Sequence, residues 1–259
     1  MNTNQAISIR TSFQGVGNVV RFNWPFYLVA GGAALALAGL WLAGPVVARP
    51  YAGLLLALAL LPLLLSLLIT AYIYDFSGLY QFDWLFENVP APAALLTLSA
   101  GFDEISAPLA HRYPTARLLA ADFYDAARHT EPSIQRARRA YPPHPGTRPV
   151  DTRAALPLPA GSTDLAVAFL AAHEIRDAVE RAAFFREIAR VLAPAGTLVV
   201  TEHLRDPANF LAYTVGFLHF HSRRAWLATF RASGLRVARE VKITPFITAF
   251  FLRKDDFTA

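Results

Sequence analysis

The chain has 259 residues, of which 54% are hydrophobic and only 17% charged, with a formal net charge of +5 and a mean hydropathy of +0.34. An average soluble domain carries about 25% charged residues, so this composition excludes a disordered chain, a collagenous repeat and an ordinary secreted scaffold. With no cysteine there is no disulfide framework, thiolate metal site or thiol nucleophile.

The hydrophobic excess sits at one end. No charged residue occurs from Phe22 to Ala48 or from Pro50 to Tyr74, and Arg49 alone separates the two stretches. A helix needs about 20 apolar residues to cross a bilayer core. Trp24 to Ala43, with Gly31, Gly32 and Gly39 permitting close helix packing, is a first span. Ala52 to Ile73, with eleven Leu between Leu54 and Leu68, is a second. Gly44, Pro45 and Pro50 mark the turn, and Pro62 is expected to kink the second span. The pattern predicts a transmembrane helical hairpin over 24–74, preceded by an interfacial segment over 1–23. Arg10 and Arg21 outweigh Arg49, which favours both ends, and hence the domain that follows, in the cytoplasm. The aromatic-rich stretch 74–88 (within a juxtamembrane linker, 75–89) is expected to lie along the membrane surface, the other reading being a plain linker with core-facing aromatics.

From Pro90 the pattern changes to alternating strands and helices, the mark of an α/β sheet. Strands are predicted at Ala94–Ser99, Ala116–Ala121, Thr147–Val150, Asp164–Leu170 and Thr197–Thr201. Helices are predicted at Asp103–Arg112 and Pro132–Ala140, then after an Asp177/Glu180 capping box, and after Ser222. Leu235–Ile243 and Phe246–Leu252, separated by Thr244-Pro245, read as an antiparallel pair.

This order, with LPLPAGSTDLAVAFLAAHEI (156–175) and REIARVLAPAGTLVVTEHLRD (186–206), resembles the class I S-adenosylmethionine-dependent methyltransferases over about residues 90–254. The resemblance implies a Rossmann-like sheet, mostly parallel with an antiparallel last strand, within a domain spanning 90–259. It also implies S-adenosylmethionine as cofactor. The glycine loop would be Thr97-Leu98-Ser99-Ala100-Gly101-Phe102-Asp103, where only the middle glycine is kept and Ser99 and Asp103 replace its neighbours. Gly101 would let backbone approach the ligand, and Asp103 or Glu104 would meet the methionine amine. Asp122, ending the second strand, would accept the ribose hydroxyls. Asp151, with Phe123, would hold the adenine.

Methyl transfer asks the protein for alignment and at times a base. His173 and Glu174 after the fourth strand, and Glu202 and His203 after the fifth, lie near the strand ends, and of these His173, Glu174 and His203 are the catalytic candidates. A site made of His203, His219 and His221 lacks helical ligand spacing, so no metal is expected. The apolar stretch Asn209–Phe220 either covers a lipophilic substrate, dips into the membrane surface or is core helix. The basic run at Arg136, Arg138 and Arg139 suits anionic lipid headgroups, and no nucleic acid is expected. The expected function is a membrane-anchored methyltransferase acting on a lipophilic or membrane-associated acceptor, with membrane lipids as partners. The alternative is a non-catalytic methyltransferase-like subunit of a larger respiratory or photosynthetic membrane complex. A nicotinamide-dependent reductase is disfavoured by the absence of Gly-x-Gly-x-x-Gly.

Overall fold

A computed structural model describes residues 11–255. The first ten residues of the expected interfacial segment, Arg10 among them, lie outside the described residues, as does the end of the 90–259 span.

Helix α1 (Gln14–Phe22) leads into two long apolar helices, α2 (Trp24–Ala43) and α3 (Arg49–Ala71), which pack as a hairpin. Both are long and apolar enough to cross a membrane. At 1.5 Å per residue, α2 extends about 30 Å. No residue of α2 is buried and only Ala52 and Thr70 of α3 are, so the hairpin shows its Leu side chains outward. Helix α3 runs through Pro62.

The stretch after α3 departs from the expectation of a surface-lying linker. A π-turn (Tyr72–Phe76), a 3-10 turn (Leu79–Gln81) and the short α4 (Asp83–Phe86) follow. Ile73, Leu79, Phe82 and Leu85 are almost fully buried. They pack on one face of the sheet, because each strand there presents an apolar row that needs a cover. Asp75 accepts the Gly15 and Val16 amides (2.7 and 2.9 Å), satisfying donors at the start of α1. Gly15 permits this approach, since a Cβ there would lie 2.3 Å from Tyr74 Cβ.

The domain then alternates β1 (Ala94–Ser99), α5 (Ser106–Arg112), β2 (Arg117–Asp122), α6 (Pro132–Ala140), β3 (Arg148–Pro149), β4 (Thr163–Phe169), α7 (Ala178–Val191) and β5 (Leu192–His203). It closes with α8 (Pro207–Tyr213), α9 (Arg223–Ala232), β6 (Leu235–Thr244) and β7 (Ile247–Lys254). The sheet order is β3-β2-β1-β4-β5-β7-β6. β1 to β5 are parallel, and β7 runs antiparallel to both β5 and β6. The third strand is two residues long and the fifth begins earlier than the sequence suggests.

Strand periodicity divides the core in two. Leu96, Leu98, Ala166, Ala168, Leu198 and Val200 face α7 and α9, where Phe184, Phe185, Trp226 and Phe230 fill the gap. Leu95, Leu165, Val167, Val199 and Phe251 face α5 and the segment after α3. The expected caps form: Asp177 accepts the Glu180 amide and Ser222 the Ala225 amide. The box is only half closed, because the Glu180 carboxylate turns to Arg128, Thr152 and Arg153.

Candidate active site at the strand ends

The sheet reverses its winding between β1 and β4, and open α/β sheets bind ligands outside the carboxyl ends of the strands at such a point. Two groups of polar side chains meet there.

The first lies at β1 and β2. Register pairs Ser99 with Asp122. Asp122 Oδ1 accepts the Gly101 and Tyr124 amides (2.8 and 3.0 Å), and its Oδ2 lies 2.5 Å from Arg138 Nη1. Gly101 has φ 95, a left-handed conformation that favours glycine. The Arg138 guanidinium also covers the Tyr124 ring at 4.3 Å. Helix α1 reaches over this loop: Phe22 meets Phe102 and Tyr141 edge-on, and Tyr141 donates to Asn18 Oδ1.

The second group lies at β4 and β5. Leu170, just past β4, takes φ 50, a strained value for a branched residue. A 3-10 turn (Ala172–Glu174) then aims His173 and Glu174 at the end of β5. Fully buried Glu202 accepts the His173 amide (3.1 Å) and sits 2.6 Å from His173 Nδ1. Glu174 Oε1 is 3.4 Å from His173 Nε2 and 3.4 Å from His219 Nε2. His219 closes a second 3-10 turn, Thr214–His219. Burial alone would lower the His173 pKa, but Glu202 and Glu174 beside it raise it to about 10. Burial likewise opposes ionisation of Glu174, yet its hydrogen bonds with the two imidazoles hold its carboxyl far below the usual range.

His203 behaves in the opposite way. Its Nδ1 faces Asn209 Oδ1 (3.0 Å) and the Phe246 carbonyl (3.1 Å), both acceptors, so Nδ1 carries the proton. Its bare Nε2 accepts from the Tyr74 hydroxyl at 2.8 Å. Burial, against the favourable Asn209 contact, lowers its pKa to about 4. His203 is thus neutral, and His173 cationic, at pH 7.

Residues 96–200, about two-fifths of the chain, match a family described as a methyltransferase domain. A methyltransferase from Aquifex aeolicus, termed SAM-dependent, superposes with a TM-score of 0.51 at 16% identity, covering 74% of this chain and 97% of its own. The cyclase SpnF superposes with a TM-score of 0.50 at 18% identity, covering 70% and 81%. No curated protein sequence matches. The part of the chain that forms the sheet is a methyltransferase-like domain. The family match supports S-adenosylmethionine as its cofactor, while likeness to SpnF is a reminder that this fold carries more than one chemistry.

The methyltransferase-like domain brings Ser99, Gly101 and Asp122 together and disperses the other expected cofactor contacts. Asp103 turns back, its Oδ1 accepting the Ile105 and Ser106 amides as the chain enters α5. Thr97 pairs with Ser106 at 2.5 Å. Phe123 is taken up by the main core, against Phe184 and His129. Asp151 is more than half exposed and accepts the Arg153 amide, with Arg128 3.4 Å away. The Gly101 backbone and the Asp122 carboxylate suit a ribose, provided Arg138, which lies against both, swings away. Reading of the sequence missed Arg138, Glu131 and Tyr74 as parts of these clusters. Their partners lie 16 to 129 residues away along the chain, beyond the reach of any local spacing.

Proposed function

We propose that the chain is a membrane-anchored, S-adenosylmethionine-dependent methyltransferase whose acceptor is lipophilic or membrane-associated. One observation carries this reading: Tyr74, three residues past the end of α3, hydrogen-bonds to His203 at the carboxyl end of β5. The hairpin therefore leaves the domain beside the strand ends where ligands bind. Helix α3 also packs on α8, whose Phe210 and Leu211 are exposed, as are Val215 and Leu218 in the turn that follows. An uncovered apolar surface next to a lipid-facing hairpin supports entry of an acceptor from the bilayer. A hollow of about 250 Å³ lined by Arg21, Arg136 and Arg139, with Phe22 and Trp24, suits anionic headgroups on the same flank.

The cofactor supplies an activated methyl group when bound. Gly101 and Asp122 would hold its nucleoside, and α1, through Phe22 and Tyr141, would exclude water. Neutral His203, whose Nε2 accepts from the Tyr74 hydroxyl, would orient that hydroxyl toward an acceptor. His173 and Glu174 would orient the acceptor rather than remove its proton. The domain would face the cytoplasm.

A non-catalytic subunit of a membrane complex is the competing reading, and the Arg138–Asp122 pair favours it. Calorimetry of the full chain in detergent with S-adenosylhomocysteine distinguishes the two. Micromolar binding lost in Asp122→Ala is expected; no heat at millimolar ligand from a folded protein overturns the enzyme reading.

A further inference from the structure

We infer that His173, Glu174 and His219 form a binding site for a first-row divalent metal ion, with Zn2+ the best match. Two imidazoles and a carboxylate are the mixed nitrogen and oxygen donor set that such ions take. Tetrahedral coordination with bonds of about 2.0–2.1 Å spaces ligand atoms about 3.3 Å apart. Glu174 Oε1 stands 3.4 Å from His173 Nε2 and 3.4 Å from His219 Nε2, and the ligand atoms of all three lie within 4.8 Å of one another. Two edges of the tetrahedron are thus already set, and a small movement of the His219 turn closes the third.

The surroundings of the two rings carry the argument further. A metal-bound histidine almost always donates its other ring nitrogen to a carboxylate or carbonyl. His173 does so through Nδ1 to fully buried Glu202 at 2.6 Å, and Glu202 also grips the His173 amide. His219 Nδ1 lies 3.1 Å from Glu131 Oε1, with the Arg176 guanidinium beside it. Both Nε2 atoms are left facing one carboxylate oxygen. The Arg176 guanidinium, which lies against the His219 ring and 4.0 Å from Glu131, is the cation an incoming metal would displace.

The three donors leave a fourth position for an oxygen ligand at the ends of β4 and β5. Binding of the ion itself does not depend on the methyltransferase reading. Only the assignment of that fourth position to an acceptor oxygen rests on it.

The test uses full-length protein without a polyhistidine tag, stripped with chelator in detergent. Titration with Co2+, followed by its visible ligand-field bands, and with Zn2+ against a competing indicator should give one equivalent per chain. His219→Ala and Glu174→Gln should each weaken binding at least tenfold, and Glu202→Gln ten- to a hundredfold. His111→Ala, on α5, should leave binding unchanged. Absence of saturable binding by the folded wild type, or binding indifferent to His219→Ala, overturns the site and leaves an ion-paired network. Should His219→Ala fail to fold, the wild-type Co2+ spectrum and His219→Gln decide. S-adenosylhomocysteine binding measured in parallel reports on the cofactor reading separately.

Discussion

Arg138 Nη1 stands 2.5 Å from Asp122 Oδ2, on the carboxylate that the family resemblance assigns to the ribose of the cofactor. The same carboxylate already accepts two backbone amides through its other oxygen. A ribose can gain Asp122 only by displacing the arginine, whose side chain is about one-third exposed. Arg138→Ala should therefore tighten S-adenosylhomocysteine binding by roughly tenfold, equivalent to about 1.4 kcal/mol. Calorimetry checks this, and unchanged or weaker binding would mean that Arg138 helps to hold the ligand.

The sheet was legible in the sequence because its strands are apolar runs bounded by Asp, Gly and Pro. The Asp177 and Ser222 caps were legible because N-cap chemistry is local. The site was only half legible. Asp122 and Gly101 announce themselves by residue type, whereas Arg138 looks like one more cation on a basic helix until α6 folds over β2. For the stretch 74–88 two readings stood open, because aromatic residues beside a long apolar helix suit an interfacial belt as well as a core. The sheet face that claims Phe82 and Leu85 is built from residues up to 170 positions later. His219 was weighed with His203 and His221, but the residues it meets are His173 and Glu174, supplied by a different turn.

The hairpin reading predicts a large effect from one charge. Leu58 lies in the middle of α3 and is 60% exposed. An arginine at the centre of a membrane helix costs about 2.5–3.5 kcal/mol of insertion free energy. Leu58→Arg should shift the expressed chain from the carbonate-resistant membrane fraction to the extractable or aggregated one. Leu58→Phe should not. Equal extraction of wild type and Leu58→Arg would remove the membrane span.

Acid should destabilise the domain through His203. Its folded pKa, about 4, lies below the ordinary value of 6.5, so the unfolded chain takes up a proton first as pH falls. The stability that neutral His203 contributes is complete above pH 6.5 and is lost between 6.5 and about 4. The loss is on the order of 3 kcal/mol at 1.36 kcal/mol per unit. Urea unfolding of detergent-solubilised protein at pH 7.5 and 4.5 should show that loss in the wild type and a smaller one in His203→Gln. The glutamine can still accept from Tyr74 but takes no proton.

Phe82 discriminates between a linker and a core for the stretch after α3. It is 2% exposed at φ 59, a left-handed conformation unusual for an aromatic residue. Its ring contacts Phe169 and Tyr80 edge-on at 5.5 and 6.0 Å. Such strain persists only where packing over-determines it, so the Phe82 ring acts as the pin joining the hairpin to the sheet. Phe82→Ala should cost about 3–5 kcal/mol and loosen the Tyr74–His203 contact. Leu58→Ala, at a position facing away from the domain, should leave urea unfolding of the domain within about 0.5 kcal/mol of wild type. Equal small effects from both would show that the domain folds independently of this stretch, and that the hairpin does not position the strand ends.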